Sequence, residues 1–519
     1  MFGNFKKLFV KIQSEFSAHS HYYFLLTIVL ILAFLLRVYR LNDLMGFYYD
    51  QGRDALVIWK LWHEGKPFLV GPITGLHGIF LGPFYYYLIA PFYLIGGGNP
   101  VVPAIFLAFL STLAIGVVYI LGVKLHSKTC GLIAVAISSF SYYIVHAGRW
   151  LSNPTPILLT SVLLLWCMWE IIDQSRSELK NKKNNVLWFL VTMLIAVSLQ
   201  FESASAVFYL PILFVFSIWQ RQKLPKSKTI LICIVLFLLT LIPQIIFNFR
   251  HDNLIVNSFH RVLVSENSFR LDVAEVLLTR LDYFWQVFYS KIIPEASVFV
   301  AIMTFLSLFS IFSSAKAPMK EKVIPLFLIF LLIPIIFYTL FQGNFGNIFD
   351  YYMSGYYLPM ILLFSIGLSE FMVNKFTKIV VLIFFMIFLH RNTTMLKSYL
   401  TSDVNGENTI TLVNQIKAVD YILDDGKNYG EFNVDFYVPP VIPYAYDYLF
   451  LWHGGKKCGR DICGLVKNRE VSVFYTPHET DNFHPERLTE WLTKQDSAGN
   501  VVDQESFAGI TVQRRVRNK

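Results

Sequence analysis

Tyr48-Tyr49-Asp50-Gln51-Gly52-Arg53-Asp54-Ala55-Leu56-Val57-Ile58-Trp59-Lys60-Leu61-Trp62 follows the first long apolar run of the chain and places three charges in its first seven residues, where more hydrocarbon would be expected. An ionised side chain at a bilayer centre costs about 2.5 to 3.5 kcal/mol, so this stretch belongs at a rim or in a cavity. Ala55, Ile58, Trp59 and Trp62 keep helical spacing, and Gly65 and Pro67 supply a stop. The pattern predicts an amphipathic helix along the interface, anchored by two tryptophans. On it Asp50, Arg53 and Asp54 share one face at i, i+3 and i+4. Two readings are open. Asp50 caps the helix while Arg53 pairs with Asp54, or an acceptor-only carboxylate beside a five-donor guanidinium forms a reactive site.

Composition sets the wider frame. With 519 residues, 55% hydrophobic, 17% aromatic and only 15% charged, the chain is too apolar for one soluble core and reads as an integral membrane protein. Its net charge of +9 gathers in short segments between apolar runs, as in cytoplasmic loops; no basic stripe interleaved with aromatics argues for nucleic acid. Lys6, Lys7 and Lys11 precede a long apolar run with no small-residue cleavage site, which reads as a retained first span. Spans are expected at about 22–41, 101–123, 129–147, 154–172, 187–202, 204–219, 228–248, 294–314, 323–342, 354–372 and 377–393. Segment 78–97 is long enough to cross, yet Gly82, Pro83, Pro91 and Gly96-Gly97-Gly98-Asn99-Pro100 also suit a surface-lying piece. If it does not cross, the basic loops at 124–128, 176–183, 221–228, 316–322 and 375–378 all fall on the side of Lys6 and Lys7. That arrangement gives about eleven crossings, an inside N-terminus and an outside C-terminus.

Beyond residue 395 the composition is that of a soluble protein. Thr409 to Leu423 and Pro485 to Leu492 read as helices, and Val434 to Pro439, Val471 to Tyr475 and Gly509 to Val516 as strands. The expected division is therefore 1–395, transmembrane, and 396–519, a small extracytoplasmic α/β domain. Cys130, Cys167 and Cys233 fall in apolar runs. Cys458 and Cys463 share a polar loop and are open to either a disulfide or two thiols. No paired CxxC or HExxH spacing argues for a metal, and no cofactor is called for.

The charge bookkeeping also collects 42–77, His146 to Pro154, Gln200-Phe201-Glu202, Asn248 to Asp252 and Gln342 to Tyr352 on one leaflet, as either an outward cavity or a set of solvated loops. One carboxylate with several cations suits glycosyl transfer from a lipid phosphate, because phosphate already leaves well and needs no second carboxyl acid, unlike the usual glycoside hydrolase. Arginine's planar fork suits the phosphate. Arg149, Arg250 and His251 are candidate phosphate contacts, with boundary snorkelling as the plainer role. Glu202 is a candidate to orient the acceptor or pair with an arginine. The runs Tyr85 to Tyr87 and Tyr351-Tyr352 read as interfacial belt rather than sugar platform.

The Asp-x-x-Arg after the first span, the interfacial helix, Gly82-Pro83-Phe84-Tyr85-Tyr86-Tyr87, Ser141 to Pro154, Gln200-Phe201-Glu202 and Pro243 to His251 together resemble the membrane-embedded GT-C glycosyltransferases. The likeness is to the branch of protein O-mannosyltransferases, aminoarabinose transferases and RgtA/B/C/D-like enzymes, and covers most of residues 20–390. It implies an all-α polytopic fold of the GT-C type with interfacial helices and a small C-terminal α/β domain. It also implies that Asp50 is the base activating the acceptor, that Arg53 holds the donor phosphate with Asp54 beside it, and that His77 is a polar phosphate contact. Gln51 departs from the common Asp-Glu pair. Arg149 and Asn153 stand where metal-using oligosaccharyltransferases place an acidic pair, so metal dependence is not expected. The expected activity is inverting transfer of a sugar from a polyprenyl-phosphate donor to a glycan, lipid or protein acceptor outside a plasma membrane. A flippase of lipid-linked sugars, or a polysaccharide polymerase or ligase, is the alternative.

Overall fold

A computed structural model describes residues 20–175, 182–266, 273–314, 319–341, 348–439, 442–467 and 469–518. Lys6, Lys7 and Lys11, most of the basic loop 176–183, the first half of 316–322 and most of Gln342 to Tyr352 lie outside the described residues. The helices used below are α1 (Ser20–Val38), α2 (Tyr49–Glu64), α3 (Phe84–Ile95), α4 (Val101–Leu125), α5 (Lys128–Phe140), α6 (Tyr142–Arg149), α7 (Ile157–Asp173), α8 (Lys182–Phe201) and α9 (Tyr209–Trp219). They continue as α10 (Ser227–Arg250), α11 (Leu254–His260), α12 (Val273–Ile292), α13 (Ser297–Ser314), α14 (Ile324–Leu340), α15 (Tyr357–Phe371), α16 (Lys375–Leu400), α17 (Leu412–Gly426), α18 (Tyr444–Leu449) and α19 (Pro485–Ala498).

Every one of the eleven expected spans is helical. Among the described residues seven helices are long and apolar enough to cross a membrane, and nine candidates result if each of two bent pairs counts as one. The bent pairs are α5 with α6, turning 65°, and α12 with α13, turning 89°. Two expected spans correspond to shorter helices, the 17-residue α7 and the interrupted stretch Ser203–Trp219. The structure settles segment 78–97: its helix α3 has 12 residues, about 18 Å at 1.5 Å per residue, too short for a hydrocarbon core of about 30 Å. α12 was not among the expected spans, because Glu275, Arg280 and Asp282 interrupt its apolar run.

The chain forms two compact units. The first comprises residues 1–38, 69–85 and 106–397, and the second residues 39–68, 86–105 and 398–519. In the first unit α15 is the central element, with nearly every side chain buried. Gly367 lets it close on α13, where an added Cβ would meet the backbone of Ser307 at 2.6 Å. Buried hydroxyls tie neighbours where apolar packing alone would leave register free: Ser307 Oγ donates to the Phe364 carbonyl at 3.0 Å and Ser198 Oγ to Thr160 Oγ1 at 2.7 Å.

The second unit holds a four-stranded sheet of β1 (Phe432–Val434), β2 (Val473–Glu479), β3 (Gly499–Phe507) and β4 (Ile510–Arg517) in the order β1-β2-β4-β3. β1 and β2 are parallel with Val434 opposite Tyr475; the other pairs are antiparallel, with Tyr475 opposite Arg514 and Gln504 opposite Gln513. Of the expected strand 434–439 only Val434 lies in a strand, at the end of β1, while Tyr437 makes an isolated bridge to His478; β3 was not expected because its face alternates little, most of its residues being exposed. Cys458 and Cys463 form a disulfide.

Candidate functional site

α2 begins with a different cap from the one the sequence suggests. Tyr48 is the capping residue, and its N–H is accepted by Gln51 Oε1 at 3.1 Å, so Gln51 closes the first turn as Glu does in a capping box. Asp50 therefore lies within the first turn with its carboxylate half exposed, not at the cap. Negative charge is favoured there by the helix dipole.

Arg53 bridges two carboxylates. Its Nη1 lies 2.9 Å from Asp50 Oδ1, while Nη2 and Nε reach Asp54 Oδ1 at 2.7 and 2.9 Å. The Tyr86 hydroxyl donates to the same Asp54 oxygen at 2.8 Å. Asp54 is buried, and burial raises its carboxyl to about 6 although Arg53 and Tyr86 oppose the shift. Arg53 is held above its ordinary value chiefly by Asp54, against its own burial. The result is an anchored guanidinium offering one face to an accessible carboxylate. Tyr86, expected in an interfacial belt, instead forms the floor of this site, and Tyr85 is also buried. Gly52 seats α2 on α18: an added Cβ would meet Ala445 N at 2.3 Å and the Tyr444 carbonyl carbon at 2.4 Å.

The other candidates lie in the first unit. His77 is exposed at the tip of a hairpin-like loop in which Gly71 N–H donates to Leu81 O at 2.8 Å and Ile73 bridges Phe80; its carbonyl accepts from Arg261 Nη2 at 2.7 Å. Arg149 is buried and donates to the Leu36 carbonyl at 2.7 Å, joining α6 to the end of α1. Asn153 donates to the Phe201 carbonyl at 2.7 Å. Glu202 is buried and accepts from Ala204 N–H at 2.9 Å, capping the short helix that follows α8. These three side chains thus serve chain connections. Arg250 and His251 are exposed at the end of α10, where cations suit the dipole; His251 stacks on Phe247 with centroids 4.0 Å apart. Gln200 explains the Gly82-Pro83-Phe84 segment: its Oε1 accepts from Phe84 N–H at 3.2 Å, and an added Cβ on Gly82 would strike its side chain.

Sequence reading missed a second polar cluster in this unit. Lys291, buried at the end of α12, lies 2.8 and 2.9 Å from the two carboxylate oxygens of Asp350, and the Tyr357 hydroxyl shares its proton between the Asp350 carbonyl at 2.6 Å and Oδ2 at 2.8 Å. The signal was present as a lysine at the end of a long, mostly apolar stretch, but its partner lies 59 residues away.

Helix lengths, the central apolar bundle and the small terminal sheet define a multi-pass, mostly helical membrane protein with a four-stranded C-terminal sheet. Residues 81–247 match the family model of dolichyl-phosphate-mannose-protein mannosyltransferase; Asp50 and Arg53 lie upstream of that match. The fold is similar to that of ArnT from Cupriavidus metallidurans bound to undecaprenyl phosphate, with a TM-score of 0.59 and 10% identity over 96% of this chain and 98% of that one. It is also similar to the Archaeoglobus fulgidus oligosaccharyltransferase AglB in complex with an inhibitory peptide and a dolichol-phosphate, with a TM-score of 0.50 and 11% identity over 96% of this chain and 74% of that one. No curated protein matches the chain by sequence.

Proposed function

We propose that the chain is an inverting glycosyltransferase that moves a sugar from a polyprenyl-phosphate carrier to an acceptor on the outer face of a plasma membrane. The observation that carries this reading is the accessible Asp50 carboxylate fixed by Arg53, itself fixed by buried Asp54 and Tyr86. The mannosyltransferase pattern over residues 81–247 and the lipid phosphates bound by ArnT and AglB support it.

The chemistry fits one base and no acid. The acceptor hydroxyl attacks the anomeric carbon, its proton passes to Asp50, and the bond to the lipid phosphate breaks with its electrons on the phosphate oxygen. A carboxylate suffices as the base because the hydroxyl becomes acidic only as the new bond forms at an oxocarbenium-like carbon. One displacement inverts the anomeric centre. Arg53 acts first as the residue that aims Asp50, and a donor phosphate competes for the same Nη1 edge. Of the other candidates His77, Arg250 and His251 are exposed and open to a lipid headgroup, whereas Arg149 is occupied in the fold. A disulfide in the terminal domain suits an oxidising, extracytoplasmic side.

Purified Asp50→Asn in lipid nanodiscs is expected to lose transfer from a polyprenyl-phosphate sugar by at least a hundredfold while still binding polyprenyl phosphate, the loss expected of a general base. Unchanged turnover would remove the base from Asp50. Labelled sugar that changes sides without becoming attached to an acceptor would replace the transferase by a flippase.

A further inference from the structure

The first unit contains a cavity of about 160 Å³ whose lining includes Tyr143, Trp150, Asp350, Tyr351, Ser354 and Tyr357. It is set against the Lys291–Asp350 pair described above. The three protons of the Lys291 ammonium face the two Asp350 oxygens and, at 3.3 Å, Ser290 Oγ. The rings of Tyr143 and Tyr357 flank the same nitrogen at 4.9 and 4.7 Å. Lys291 is buried and Asp350 half exposed, so the cation is neutralised behind and the carboxylate is the charged group on view.

Three features of the cavity point to one kind of ligand. An ionised carboxylate accepts at about four positions, and Lys291 and the shared Tyr357 proton use at most three on Asp350, leaving room for a donor from outside. Ser354 is buried in the lining, and among the described residues its hydroxyl has no hydrogen-bond partner, a cost that an incoming hydroxyl would relieve. The remaining lining is mixed: Trp150 and Tyr351 meet at 70° and 6.3 Å as an aromatic wall, Ala147, Pro154 and Leu158 add apolar surface, and His146 and Thr155 add polar groups able to meet a hydroxyl. A fatty chain would leave Asp350 and Ser354 unsatisfied, and a phosphate or carboxylate ligand would face the Asp350 charge directly. A ring with C–H faces and a hydroxylated edge satisfies all three features.

We propose that this cavity is a subsite for an uncharged sugar ring, with Asp350 and Ser354 receiving its hydroxyls, the aromatic walls covering its faces, and acidic sugars excluded by Asp350. The assignment rests on the glycosyl-transfer reading in taking the ring to belong to the donor or the acceptor.

Saturation-transfer NMR on the full chain in lipid nanodiscs, with methyl mannoside, methyl glucoside, methyl glucuronide and inorganic phosphate as probes, tests it directly. The neutral glycosides should give signals and the glucuronide and phosphate none. Trp150→Leu and Asp350→Asn should weaken the neutral glycosides about tenfold or more, the loss of a charged hydrogen bond or an aromatic wall, and Ser354→Ala by a smaller factor. Asp350→Asn strands a buried lysine, so its melting temperature is measured first, and Trp150→Leu with Ser354→Ala decide if it fails to fold. Equal signals from glucuronide, absent signals from all neutral glycosides, or signals untouched by Trp150→Leu and Ser354→Ala overturn the subsite. Transfer is assayed in parallel. Glycoside binding that responds to the variants in a chain without transfer keeps the subsite and removes the transferase, whereas transfer with donor and acceptor KM unchanged in the variants does the reverse. A raised KM for the donor places the ring on the carrier, and a raised KM for the acceptor places it there.

Discussion

Asp54 sits where two effects oppose each other, and the larger one has a consequence in pH. Burial disfavours its charge more than Arg53 and Tyr86 favour it, which brings the carboxyl up to about 6. Because that lies above the ordinary carboxyl value, the folded protein holds this proton more tightly than the unfolded chain does. Stability linked to Asp54 is therefore full at low pH and declines as the pH rises from about 4 to about 6. Activity should run the other way, since only ionised Asp54 anchors Arg53 and hence Asp50. Transfer is expected to rise through an apparent pKa near 6, and Asp54→Asn should flatten that limb and lower the rate about tenfold. An acid limb that persists unchanged in Asp54→Asn would assign it to another group. At this scale the sequence exposed the charged face of α2, because i, i+3 and i+4 neighbours need no tertiary information. It could not show that Tyr86, 32 residues on, would bury one acid and leave the other open. Nor could it separate Arg149, Asn153 and Glu202, which bind backbone, from Arg250 and His251, which remain exposed.

Gly52 decides how the reactive helix is seated. In an unencumbered helix interior Gly→Ala stabilises by about 1 kcal/mol. Here an alanine methyl would press on the backbone of α18 at 2.3 and 2.4 Å, where no rotamer change can relieve it, and overpacking of this kind costs about 1–3 kcal/mol. Gly52→Ala should therefore lower the melting temperature by several degrees and cut transfer by displacing Asp50. A raised melting temperature would mean that α2 is not pressed against α18. Element identity was legible wherever one force dominated: long apolar runs gave helices, and segment 78–97, ambiguous by its Gly and Pro residues alone, was read as non-crossing from the sidedness of the basic loops, in keeping with the short α3. It failed for α12, whose charges mask a 20-residue helix, and for the loop 71–81, whose Ile73–Phe80 bridge depends on Gly78 at φ +78° rather than on any strand pattern.

Orientation is a property of the whole chain, and the one proposed here is argued from parity and charge together. With α3 too short to cross, the basic loops at 124–128, 221–228 and 375–378 share one side, and the proposed orientation assigns that side to the cytoplasm by the positive-inside rule. The grouping of 39–68 and 86–105 with 398–519 in one unit then carries the Asp50 helix to the same side as the terminal sheet. Within that unit the link is made by specific bonds: Leu412 N–H donates to Met45 O at 3.0 Å, Tyr48 Oη to Ile410 O at 3.0 Å, and Trp452 Nε1 to Gly97 O at 2.7 Å. No linear reading could join these segments, since their partners are more than three hundred residues apart. The consequence is that the redox state of Cys458 and Cys463 reports the compartment of Asp50. In intact cells the two thiols should resist a membrane-impermeant maleimide until an impermeant reductant is added, and a C-terminal alkaline phosphatase fusion should be active. Closing the loop between them contributes about 2 kcal/mol in the chain-entropy account, so Cys458→Ser should leave the fold intact and the fusion active. A silent phosphatase together with thiols that react only after the membrane is opened would put both the sheet and Asp50 in the cytoplasm, and outer-face transfer would fall with them.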